Sequence, residues 1–120
     1  MSGVDRFDVA AAAAAINREN RREALASAER KNRARAEGAR LAKLLKERDP
    51  RLVRVWGFGS AFEEGRPFHA SSDIDLAIEG GDLLLALSMV GTSEFRVDVV
   101  DLTRQEDQFA KTVREKGTLL

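Results

Sequence analysis

The stretch Trp56–Leu76, WGFGSAFEEGRPFHASSDIDL, decides the reading of this 120-residue chain. It leaves an apolar run through a Gly59-Ser60 turn, crosses a loop of mostly small and polar residues, and ends on Asp73 and Asp75 with one residue between them. Side chains alternate between faces in an extended strand, so the two carboxylates share one face while Ile74, Leu76 and Ile78 take the other. Carboxylates held side by side repel, and a cation between them relieves the cost. The expected guest is a hard divalent ion with oxygen ligands, Mg²⁺, which commonly arrives with substrate phosphates. The stretch therefore points to phosphoryl or nucleotidyl chemistry.

Around it, residues 52–58 (LVRVWGF) read as a first strand and 73–79 as a second, with Gly59, Gly65 and Pro67 breaking the loop over 59–71. Upstream, residues 4–48 read as helix, rich in Ala, Glu, Arg, Lys and Leu, and stopped by Asp49-Pro50. Large apolar residues are sparse there (Ile16, Leu25, Leu41, Leu44, Leu45) and no heptad repeat is sustained. Gly38 reads as a break between an N-terminal helical extension, 1–37, and a domain, 38–120. Downstream, Gly80-Gly81 turn the chain and Asp82 caps a helix over 83–90 (LLLALSMV), apolar enough to demand burial and stopped by Gly91. A third strand follows at 95–101 (FRVDVVD). Thr103 and Glu106 fit a capping box that opens a last helix, 104–116, with Phe109 and Val113 inward and Gly117 at its end. The fold class is α+β: a three- or four-stranded mixed sheet covered by helices, with a long N-terminal helix.

Composition narrows the chemistry. The chain has no cysteine and a single histidine, His69, which excludes thiolate zinc sites, cysteine nucleophiles and multi-histidine centres. His69 reads as a solvated loop residue and Trp56 as strand packing. Lys+Arg 20 balance Asp+Glu 20, so bulk electrostatics do not favour nucleic acid or a membrane surface. The basic run Arg30 to Arg40 reads as a solvated helix face. The alanine run 10–15 is bracketed too closely by Arg6, Asp8, Asn17 and Arg18 to span a membrane, and the expected location is cytoplasmic.

A nucleotidyl-transfer site needs one more carboxylate, and the third strand offers Asp98 and Asp101 on opposite faces. Phe95, Val97 and Val99 share the face of Asp101 and look into the core, which leaves Asp98 beside Asp73 and Asp75. Asp101 is then expected to turn out to solvent at the strand end. Glu79 shares the face of the aspartates but lies too far along to join them. With Gly59-Ser60, Ser72-Asp73-Ile74-Asp75-Leu76 and Val97-Asp98-Val99-Val100-Asp101-Leu102 in one short chain, the sequence from about Leu41 onward resembles the minimal nucleotidyltransferases (MNT) of the DNA polymerase β superfamily. A bare pair of aspartates is often only a solvent-facing pair on an edge strand; the series is far more specific.

The resemblance implies roles. Gly59 and Ser60 would hold the triphosphate, with Ser72 and Arg66 as further nucleotide-binding residues. Asp73, Asp75 and Asp98 would bind Mg²⁺ and act as the catalytic carboxylates, Asp98 activating the attacking hydroxyl. Two features depart from the family pattern: the loop between Ser60 and Asp73 is longer, and Ala61-Phe62-Glu63-Glu64 stands where an arginine commonly follows the serine. The resemblance further implies transfer of AMP from ATP, or another nucleoside triphosphate, to a hydroxyl of a HEPN-domain toxin, this chain being the antitoxin. The alternative is an antitoxin that neutralises its partner by binding alone. A transferase for a small acceptor such as an aminoglycoside ranks lower, because such enzymes generally carry a second domain. The long N-terminal helix and the 83–90 segment are the expected docking surfaces, the helix also a possible route to an oligomer.

Overall fold

The computed structural model describes residues 2–120, with side chains from Val9 onward; Arg6 and Asp8 lie outside the described side chains. Helix α1 runs Ser2–Arg48, strand β1 Leu52–Phe58, β2 Ile74–Gly80, helix α2 Leu83–Val90, β3 Val97–Asp101, helix α3 Asp107–Lys116 and β4 Thr118–Leu119. The sheet order is β3-β2-β1-β4. β1 pairs antiparallel with both β2 and β4, while β2 and β3 are parallel, as their helical crossover through α2 requires.

Period-two alternation divides the sheet into two cores. Ile74, Leu76 and Ile78 of β2 point to one side, almost wholly buried with Leu41, Leu45 and Val55 and with Ala86 and Val90 of α2. Ala77 points to the other, with Val113 and Ala110 of α3 and with Leu102, and Phe58 meets Phe109 edge-to-face at 5.7 Å. Covered on both faces, β2 is the rigid middle of the molecule.

Gly38 does not break the helix. α1 passes through it, and a Cβ there would lie 2.7 Å from Cζ of Phe62. A Cβ on Gly57 would lie 2.5 Å from the same atom, so the Phe62 ring fills space that two glycines leave free. That is a packing reason for glycine, which overrides its weak helix propensity. Contacts between α1 and the body also begin well before Gly38, at Ser27, whose hydroxyl donates to Phe68 O at 3.2 Å.

Other expectations need correction. α2 has the expected bounds and Asp82 cap, its carboxylate accepting from the N–H groups of Leu84 and Leu85. It is not buried all round: Leu84 is 77% exposed and Leu85 and Leu87 are also open, because a two-turn helix lies on the sheet by one edge only. The Thr103 capping box does not form. The Asp101 carboxylate at the end of β3 takes both the Thr103 N–H and its hydroxyl, at 3.0 and 2.7 Å, and caps a 3-10 turn over Leu102–Arg104. α3 therefore starts later, at Asp107. Asp101 is buried in this role rather than turned to solvent.

Candidate active site

Asp75 sits on β2 directly beside Asp98 on β3, the two being register partners, and Asp73 lies two residues upstream at the entry to the strand. This placement follows from the parallel pairing, which aligns equal faces of adjacent strands. Burial, then the charges of Asp98 and Asp73, push the Asp75 carboxyl up to about 6, with Arg66 opposing. Oδ1 of Asp73 is enclosed without a hydrogen-bond partner, its nearby cation being Arg96, 4.0 Å away. A buried acceptor left unpaired is costly and asks for a ligand.

Gly59 closes the other side. It adopts φ +73°, and a Cβ on it would stand 2.3 Å from Oδ2 of Asp75. The glycine is therefore required twice, by conformation and by approach. It opens a 3-10 turn, Gly59–Ala61, whose leading N–H groups have no partner within the turn. Ser60 lies on this turn, half-buried. Ser72 is a turn residue: its hydroxyl oxygen accepts from the His69 N–H at 2.9 Å. Arg66 is exposed, donates to Glu63 at 3.1 Å, and is the cation whose field reaches Asp75.

The loop between β1 and β2 is held from α1, a function that the basic helix face did not announce. Arg35 donates to the carbonyl oxygens of Ala61 and Phe62 at 2.7 and 3.3 Å. Lys31 donates to those of Glu63 and Arg66. Part of the basic run is therefore a clamp, not a solvated face. The signal was available only as four-residue spacing of Lys31 and Arg35 on one helical side. Glu63 and Glu64 are matched by Arg66 and Arg35, so the loop presents no unopposed acid. His69 is exposed. Glu79 is buried between Arg54 and Arg114, at 3.0 and 2.6 Å, in a structural role away from the three aspartates.

The donor set suits a hard divalent cation: oxygen ligands only, one acceptor orphaned, and one carboxyl whose charge is resisted by its like-charged neighbours. Among the described residues no three acidic or histidine side chains close on one point as ion ligands do, so Asp73, Asp75 and Asp98 adjoin without converging. No helix among the described residues is long and apolar enough to cross a membrane.

Solved structures of toxin–antitoxin proteins share this arrangement of helices and strands. One, of a toxin–antitoxin MntA–HpeT mutant with two Asp-to-Glu changes separated by a single residue, matches with a TM-score of 0.54 and 25% identity over 68% of this chain and 70% of that one. The fold is that of a minimal nucleotidyltransferase. The toxin–antitoxin MntA–HepT complex shares this MNT fold at TM-score 0.51 and 24% identity, over 71% of this chain and 69% of that one. So does tri-AMPylated Shewanella oneidensis HEPN toxin in complex with MNT antitoxin, at 0.51 and 24%, over 72% and 70%. No family model and no curated protein matches the chain.

Proposed function

We propose that this protein is a nucleotidyltransferase that moves AMP from ATP to a hydroxyl group of a HEPN-domain partner, acting as the antitoxin of a pair in the cytoplasm. The observation that carries the reading is the placement of Asp75 against Asp98, with Asp73 beside them and Gly59 wedged onto the Asp75 carboxylate. The MNT structures that share the fold support it, being complexes with HEPN-type toxins, one of them AMPylated.

In this reading Asp73, Asp75 and Asp98 hold Mg²⁺, which supplies Lewis-acid stabilisation of the charge on the phosphates. The turn at Gly59 and Ser60 receives the triphosphate, with Arg66 at its edge and Ser72 keeping the following turn in place. The acceptor oxygen bonds to the α-phosphorus, the bond from that phosphorus to the bridging oxygen breaks, and pyrophosphate leaves. Asp98 takes the hydroxyl proton. A second reading, neutralisation by binding without catalysis, has one observation in its favour: the three carboxylates do not converge as placed.

Calorimetric titration of Mg·ATP into the wild type and into the Asp73→Asn/Asp75→Asn variant tests the proposal. Mg²⁺-dependent binding, lost in the variant, is expected; co-expression with the partner then adds the mass of one or more AMP groups to it. An unmodified partner that is still neutralised would favour the second reading.

A further inference from the structure

Helix α3 covers only part of the sheet face that carries the aspartates. Ala110 and Val113 cluster with Ala77 of β2. Asp75, two residues upstream on the same face, is only half-buried, and Asp98 beside it is exposed. Two phenylalanines stand at this border between covered and open sheet. Phe58 ends β1 as the register partner of Asp75, and cross-strand partners share a face, so its side chain lies on the carboxylate's side of the sheet, one residue before Gly59. Phe109, in the first turn of α3, meets Phe58 edge-to-face with ring centroids 5.7 Å apart, and both residues are half-buried.

Attachment of α3 does not depend on these rings alone. Ala110 and Val113 are buried beneath it, and the Arg114 guanidinium donates to the buried Glu79 carboxylate at 2.6 Å. The aromatic pair leaves flat apolar surface beside the carboxylates and the Gly59 turn, and such surface suits a nucleobase, because every base has a π-face to stack. Phe58 adjoins the turn in the chain and Phe109 is the next ring out, so phosphates on the turn and a base on Phe109 need only a ribose between them. We propose that Phe109, backed by Phe58, is the surface on which the base of the donor nucleotide stacks. The proposal rests on the nucleotidyl-transfer reading and deepens it. In that reading the turn at Gly59 and Ser60 takes the phosphates, and α3 selects a nucleoside triphosphate over bare polyphosphate.

The test titrates two probes into the full chain: a non-hydrolysable Mg·ATP analogue, and Mg·tripolyphosphate, which has the phosphates and no base. Wild type is expected to bind the analogue about tenfold or more tightly than tripolyphosphate. Phe109→Leu keeps an apolar side chain for packing and removes the ring. It should weaken the analogue by about tenfold and leave tripolyphosphate unchanged, the second result also showing that the variant folds. Phe109→Tyr, which keeps the ring, should bind both probes like wild type. Equal affinity of wild type for the two probes would overturn the stacking surface, as would a Phe109→Leu variant that binds the analogue like wild type or loses both probes alike. The functional reading fails separately, if wild type binds neither probe or if Asp73→Asn/Asp75→Asn retains Mg²⁺-dependent binding of the analogue.

Discussion

Asp75 carries the opposing demands of the site on one side chain. Its carboxyl is pushed from 3.8 to about 6, so without a cation the folded protein holds a proton that the unfolded chain has released. Stability supplied by that proton is present at the acid end and is lost as pH rises from about 4 to about 6. Melting temperature in EDTA is expected to fall across this window, and Asp75→Asn to flatten the fall. Saturating Mg²⁺ should restore stability at the upper end, because a cation favours the charged form. Asp75→Asn is expected to keep or slightly raise the melting temperature of the metal-free protein while abolishing Mg·ATP binding; a collapse of the fold would assign Asp75 to structure. Gly59→Ala meets both a left-handed backbone and the Asp75 carboxylate, and should destabilise by about 1–3 kcal/mol in urea unfolding.

Among the elements, the loop between β1 and β2 has little regular structure yet is closely held. Replacing Lys31 and Arg35 by Met is expected to raise amide hydrogen exchange over residues 61–67, with global stability changed by about 1 kcal/mol or less. Gly57→Ala drives a methyl into the Phe62 ring and should cost about 1–3 kcal/mol. The bounds of β1 and α2 and the face assignments of β2 and β3 could be read from residue type and period two, because burial on a sheet repeats with the pleat. Asp98 could be separated from Asp101 on the same ground. β4 could not be read, since Thr118 and Leu119 are too few to show any period. α3 starts later than the Thr103 signal implies because the signal is real chemistry claimed by another partner: the Asp101 carboxylate takes the Thr103 hydroxyl.

Over the whole molecule, the long axis of 73 Å is set by α1, whose 47 residues rise about 1.5 Å each. Val9, Ile16 and Leu25 are exposed along it. Removing residues 2–22 should therefore leave the melting temperature nearly unchanged, whereas a deletion through Arg35 also strips the core residue Ala34 and the Ser27 contact and should lower it clearly. What the sequence hid at this scale was reach. Helical composition showed that α1 would form, but the contacts from Ser27 onward depend on a loop remote in sequence, and local pattern carries no record of such a partner.

Because α1 is one unbroken rod, its free arm and its clamp move together. A tilt imposed at Ile16 should be felt at Lys31 and Arg35, and through them at the carbonyls of Ala61 and Arg66 that they hold. Whatever grips the arm thus holds a lever on the loop between β1 and β2. Tethering the arm should shift amide resonances of residues 59–66 by a path that involves no contact with the loop itself.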